Sequence, residues 1–227
     1  MHTVSIISLH LTTVTDMETK TQKLIERWQY EIAVIQKDIE DLLYSRRQIA
    51  DFEALIQQSD FAKNNIGLFW EHYKMNYLFF AVSKVFHQID QDPRSISLIN
   101  LLKSLVCNTK AINGNQWQKG TSIFDQQVIE NFGKNILVDH SIVIADINKL
   151  EKDTMDVKLL RNKRIAHIDR GDKVIAEISA EKLNSAIDSL EVLTRRYLLL
   201  LTSCDYSSLI AKSDSWKTAF TQSWVSK

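Results

Sequence analysis

Residues 24–49 read Leu-Ile-Glu-Arg-Trp-Gln-Tyr-Glu-Ile-Ala-Val-Ile-Gln-Lys-Asp-Ile-Glu-Asp-Leu-Leu-Tyr-Ser-Arg-Arg-Gln-Ile, and the spacing of the apolar positions decides the fold. Leu24, Trp28, Ile32, Ile35, Ile39, Leu42, Arg46 and Ile49 follow at steps of three and four, the period of one buried helix face. Arg46 interrupts the apolar set. The stripe continues through Phe52 and Ile56, which predicts a single long helix that bends. Thr15 and Glu18, three residues apart, fit a capping box at its start.

The rest of the composition extends this reading to the whole chain. The 227 residues include 5 glycines and 1 proline, well below the roughly 7% and 5% usual for globular chains. A β-sandwich or barrel needs a turn about every 8–12 residues, and this chain lacks the residues to make them. The fold class is therefore all-α. Apolar residues make up 44% and charged residues 25%, enough for a core and unlike a disordered chain. The 28 cations balance the 28 anions, so no global field attracts nucleic acid or an anionic membrane, and any such binding is local. Cys107 and Cys204 are isolated thiols with no metal-ligand or redox spacing, a usage that suits a cytoplasmic location. The apolar runs Tyr77–Val82 and Tyr197–Leu201 are too short to span a bilayer, and the N-terminus lacks the basic leader of a signal peptide.

After Ser59–Asp60, a helix is predicted through the aromatic segment Phe61–Ile89, ended by Asp90–Gln91–Asp92–Pro93 because the residue before proline avoids the α region. Its aromatics are read as core packing. Shorter helices are expected over Ser97–Ile112, Ile123–Phe132, Ile136–Leu150 and Asp153–Ile168, with a loop holding Trp117 and Lys119 and a closing Gly171. Ser179 caps a strong helix over Ala180–Leu201. The domain reading is an unstructured N-terminus at 1–16, a helical domain at 17–203 and a tail or docking helix at 204–227.

One segment carries the candidate chemistry: Leu160–Arg161–Asn162–Lys163–Arg164–Ile165–Ala166–His167–Ile168–Asp169. Lys158, Arg161, Lys163 and Arg164 place four cations within two helical turns. His167 shares a face with Lys163 and Arg164. Arg161 lies six residues before it, about 120° round an ideal helix, so the two converge only through a distorted helix or a partner chain. Such a group suits phosphodiester cleavage. A histidine moves a proton at a ribose hydroxyl, and a guanidinium clamps a phosphate and offsets developing charge. Neighbouring cations favour the neutral imidazole. Asn162 would orient the imidazole or bind the phosphate. The same stretch equally suits a helix end, where cations complement the dipole.

The run Arg161–Asn162–Lys163–Arg164–Ile165–Ala166–His167 resembles the Arg-x(4–6)-His signature of the HEPN superfamily, with five intervening residues. Its wording, Leu-Arg-Asn-Lys-Arg-Ile-Ala-His-Ile-Asp, is similar to the AbiU2-like branch associated with abortive phage infection. The Asp/Pro turn and Ser/Leu-rich helix at Ile89–Leu105 and the leucine-rich helix Ala180–Leu201 extend the resemblance over roughly residues 20–203. The resemblance implies a HEPN-like helical bundle that forms a homodimer, with two Arg/His motifs facing one cleft. It implies a metal-independent endoribonuclease leaving a 2′,3′-cyclic phosphate, with no cofactor. His167 would be the general acid/base and Arg161 the group that binds the scissile phosphate. Asn162 matches the polar residue after the arginine. Lys158, Lys163 and Arg164 would bind RNA. An antitoxin partner belongs to the same expectation. Asp169 stands where some HEPN toxins carry a modified tyrosine, so that regulation is not expected. The alternative is a non-catalytic helical dimerisation or interaction module.

Outside this segment, His72 and His87 read as core or edge histidines, and Asp139–His140 as a helix-surface pair. Asp38, Glu40 and Asp41 read as a solvated face. No His-Glu-x-x-His run or phosphate-cradling glycine loop is present.

Overall fold

The computed structural model describes residues 4–112, 132, 139–162, 178–210 and 217. Among them every regular element is a helix: α1 (Val4–Gln58), α2 (Asp60–Asn65), α3 (Gly67–Gln88), α4 (Leu98–Cys107), α5 (Thr109–Ile112), α6 (His140–Asp153), α7 (Met155–Leu160) and α8 (Ala180–Thr202). The all-α class is as expected. The helix does not wait for Thr15. No glycine or proline interrupts Val4–Asp16, and the backbone is helical from Val4 onward. The aromatic segment, in contrast, is broken at Ile66, which separates α2 from α3. The pieces predicted over 123–131 and at Gly133 lie outside the described residues, as do Trp117, Lys119 and Gly171.

α1 is the centre of the bundle. Trp28, Ile32, Ile35, Ile39 and Leu42 are fully buried on the face that its sequence spacing marked. α8, α3, α4 and α5 pack against α1, while α6 bridges α4 and α8 and α7 lies against α3 and α8. α8 contributes Leu190, Leu193, Tyr197 and Leu201 to the same core. Phe132 meets the Tyr197 ring edge-on at 5.6 Å between centroids.

Polar groups fix the register of these packings. The Arg27 guanidinium and the Trp28 indole N–H both donate to Ser104 Oγ at 2.9 Å, tying α1 to α4. Arg46 leaves the apolar stripe because it faces α8, pairing with Asp188 at 2.6 Å and Glu191 at 3.9 Å. Asp146 of α6 is buried and satisfied from α8: Arg196 Nη1 donates to both its oxygens at 2.6 and 2.7 Å, and Tyr197 Oη donates at 2.9 Å. A buried carboxylate needs this full set of partners, because desolvation of an unpaired charge costs several kcal/mol, on the order of 3–5. Burial, with the Asp146 charge beside it, also drives the Tyr197 phenol well above its ordinary pKa.

Asp38 is a correction to the solvated face. It is largely buried between α1 and α3, receiving Lys84 Nζ at 2.6 Å on one oxygen. His87 Nδ1 at 2.8 Å and Gln88 Nε2 at 3.0 Å meet the other. Gln88 in turn accepts the N–H of Leu98 at 3.2 Å, so one buried amide joins α1, α3 and the start of α4. Glu40 and Asp41 keep local partners, Gln36 and Lys37.

The ends of the helices follow their residues. Ser97 caps α4 and donates to the Asp90 carbonyl at 2.7 Å, and Asp90 in turn accepts from Ser95 at 2.6 Å, which closes the turn around Pro93. Asp139 caps α6 and Ser179 caps α8 through their side chains. α8 ends on Ser203, whose left-handed backbone (φ 58°) sends its N–H to the Leu199 carbonyl at 3.1 Å. That conformation suits glycine and costs a side chain about 1 kcal/mol or more. Ser203→Gly is therefore expected to raise stability by about 0.5 kcal/mol, the relief being partly offset by glycine's greater unfolded-state entropy. Equal or lower stability in urea unfolding would count against strain at this cap.

A second expectation concerns acid. Burial would raise the Asp38 carboxyl, but hydrogen bonds from Lys84 and His87 outweigh it and hold the group below its ordinary value. Its stabilisation is thus present above the unfolded value, near pH 4, and lost as pH falls through the lower folded value. Asp38→Asn is expected to cost about 1–2 kcal/mol at pH 7 and to flatten the fall in stability below about pH 4. Urea midpoints measured from pH 2 to 7 check this, and an acid limb as steep as that of wild type would remove Asp38 from the response.

Candidate functional site

α7 is short, and its burial pattern explains where Arg161 sits. Val157 and Leu160 are buried in the core, while Lys158 and Leu159 face solvent. Arg161 follows directly on the buried Leu160, so its backbone is held while its side chain is free to leave the core. The Arg161 N–H reaches the carbonyls of both Lys158 and Val157. From there Arg161 and Asn162 continue in a wider π-type winding, a departure common at functional positions.

The Arg161 side chain is half-buried. Its guanidinium carbon lies 4.2 Å from the centroid of the Phe86 ring, on the last turn of α3. Its Nη1 donates to Asn162 Oδ1 at 3.2 Å. The structure thus brings Arg161 and Asn162 together and leaves Lys158 exposed on the preceding turn. Lys163, Arg164 and His167 lie outside the described residues. Sequence reading missed Phe86 as part of this site. It was counted among the core aromatics, and nothing in its local pattern marks a contact to a residue so distant in the chain.

The electrostatic setting of Arg161 differs from that of several other arginines. Arg27, Arg46, Arg94 and Arg196 each lie beside a carboxylate. Among the described residues no carboxylate pairs with Arg161, whose partners there are an aromatic face and a neutral amide. A guanidinium left in this state retains its charge and several N–H donors for an incoming anion.

The remaining candidates resolve into structural roles. Asp139 accepts from Ser141, and those hydrogen bonds hold its carboxyl below the usual range; His140 is 3.8 Å away and exposed. His72 is exposed on α3, and His87 belongs to the Asp38 cluster. Cys107 and Cys204 are both free and exposed. An open groove of about 630 Å³ between α6 and α8, lined by Lys149, Glu181, Asp188 and Ser189 among others, contains none of the predicted site residues. Among the described residues, no group of three His, Cys, Asp or Glu side chains is placed to hold a metal ion, and no helix is long and apolar enough to cross a membrane.

A family model described as AbiU2, of the HEPN class, matches residues 37–223, a span that begins within α1 and includes the whole Arg161–His167 segment. No curated protein and no solved structure matches the chain.

Proposed function

The chain belongs to the AbiU2 family of HEPN domains, associated with abortive infection, and from that premise we propose that it cuts RNA without a metal at Arg161 and His167. The observation that carries this reading is the state of Arg161. It is held at the end of a buried turn, against Phe86 and Asn162, with no described carboxylate to neutralise it. In this reading Arg161 binds the scissile phosphate and stabilises the charge that develops on it. His167 takes the proton of the ribose 2′-hydroxyl and returns one to the leaving oxygen, which yields a 2′,3′-cyclic phosphate. Asn162 fixes the guanidinium, and Lys158, Lys163 and Arg164 attract the RNA backbone locally. A cytoplasmic location and a restraining antitoxin are part of the same proposal.

The proposed active unit is a homodimer. A stripe of α3 supports it: Leu68, His72, Met75 and Phe79 recur at steps of four and three and are all exposed. Leu68 is 77% exposed, a poor use of a leucine on an isolated helix face. Seven residues beyond Phe79 the same register reaches Phe86, where Arg161 rests, so pairing along this stripe would bring a second copy up to the site. Phe79→Glu is expected to convert a dimer to a monomer in sedimentation experiments at micromolar concentration without changing the helical circular dichroism. A wild-type protein that sediments as a monomer overturns the dimer.

The chemistry is tested by incubating the protein with total RNA in excess EDTA, beside an Arg161→Ala/His167→Ala variant. Cleavage by wild type alone, leaving cyclic-phosphate ends, is the expected result, with a loss of at least about a hundredfold in the variant. Undiminished cleavage by the variant rejects this site.

A further inference from the structure

We propose that Phe86 is the positioning residue of the phosphate clamp: its ring face sets the orientation of the Arg161 guanidinium. The inference rests on the reading of Arg161 as the phosphate-binding group and adds what holds it ready.

An arginine side chain has many rotamers, and a clamp that must search for its phosphate loses much of its value in catalysis. The usual remedy is a carboxylate, which fixes the guanidinium but also consumes its donors and its charge. Among the described residues Arg161 has none. An aromatic face acts differently. The cation is attracted to the π-electrons through its flat side, and the N–H groups, which lie in the guanidinium plane, remain available. The 4.2 Å approach of the guanidinium carbon to the Phe86 centroid is well within the range of this interaction. One donor, Nη1, is given to Asn162 Oδ1, a second anchor for the guanidinium.

Phe86 is itself well held. It lies in the last turn of the 22-residue α3, half-buried and packed on the main core, next to the fully buried Val85. The following residue, His87, is tied to Asp38 of α1 at 2.8 Å, and Gln88 beyond it is buried in the same cluster. The surface under Arg161 is therefore part of the α1–α3 packing, while Leu160 fixes the backbone from which Arg161 extends. Two separately buried elements, α3 and α7, define where the guanidinium lies.

The test is a double-mutant cycle. Cleavage kinetics in EDTA are measured for wild type, Phe86→Leu, Phe86→Tyr, Arg161→Ala and Phe86→Leu/Arg161→Ala. Leucine keeps an apolar side chain without a π-face, whereas tyrosine keeps the ring. Phe86→Leu is expected to lower kcat by roughly three- to thirtyfold with little change in KM, and Phe86→Tyr to stay within about twofold of wild type. In the Arg161→Ala background the leucine substitution should have no further effect. Equal losses in the leucine and tyrosine variants, or a leucine effect that persists without Arg161, would make Phe86 a packing residue only and overturn the inference. Full activity in Arg161→Ala overturns the reading of Arg161 itself, which the cycle thereby separates from the role of Phe86. If wild type cleaves nothing, the same cycle is run on binding of a fluorescent 2′-O-methyl RNA oligonucleotide by anisotropy. There the affinity losses must couple in the same way, and additive losses overturn the inference.

Discussion

The burial of one face of α1 is the constraint on which the rest of the bundle depends. Trp28, Ile32, Ile35, Ile39 and Leu42 are fully removed from solvent, each worth about 1.5–3 kcal/mol, or on the order of 10 kcal/mol together. That gross gain is comparable with the whole net stability of an ordinary domain, whereas an exposed ion pair such as Lys37–Asp41 is screened by solvent and contributes little. α3, α4 and α8 share no sheet or disulfide among the described residues. They are brought together because each covers part of this face. Hydrogen bonds then select which rotation about α1 each helix adopts: Ser104 for α4, Asp38 for α3 and Arg46 for α8.

The division between what sequence reveals and what it hides follows the range of the forces involved. Helix class, the inward face of α1, the Pro93 turn and the Ser179 cap are local properties, readable from residues within a few positions of one another. Arg46 was conspicuous as a cation in an apolar stripe, but its reason, Asp188 and Glu191, lies on another helix. Asp38 was misread because its neighbours Glu40 and Asp41 do keep local partners, and only the fold shows that Lys84, His87 and Gln88 converge on it. The break at Ile66 went unseen because aromatic density masked it. In the candidate site, Arg161 and Asn162 were legible as a motif with a family resemblance, and the match over residues 37–223 agrees with it. Phe86 was not legible, because a cation over a ring leaves no spacing pattern in the chain.

The site also illustrates how a neutral chain can carry a local charge for use. The chain has 28 residues of each sign, and among the described residues several cations have an acid within reach, so those charges cancel where they stand. Arg196 goes further and is consumed by the buried Asp146. Among the described residues Arg161 meets a ring and an amide and no carboxylate. A uniformly basic surface would bind nucleic acid broadly and with strong salt dependence, whereas the proposed role of Arg161 asks for contact at a single phosphate.

The ties between α1 and α8 also bear on how the chain is made. Gln29 donates to the carbonyl of Leu201, a closure across 172 residues, and Arg46 meets Asp188 across 142. During synthesis α1 leaves the ribosome well before α8, the helix that completes its cover. At about 5–20 residues per second, its apolar stripe waits on the order of ten seconds for that partner. Contacts so distant along the chain make for slow closure, and the wait falls on a fully apolar face of α1. The nascent protein therefore depends on whatever shields that stripe in the interval, and a chain cut short before α8 would expose, permanently, the surface around which the finished bundle is built.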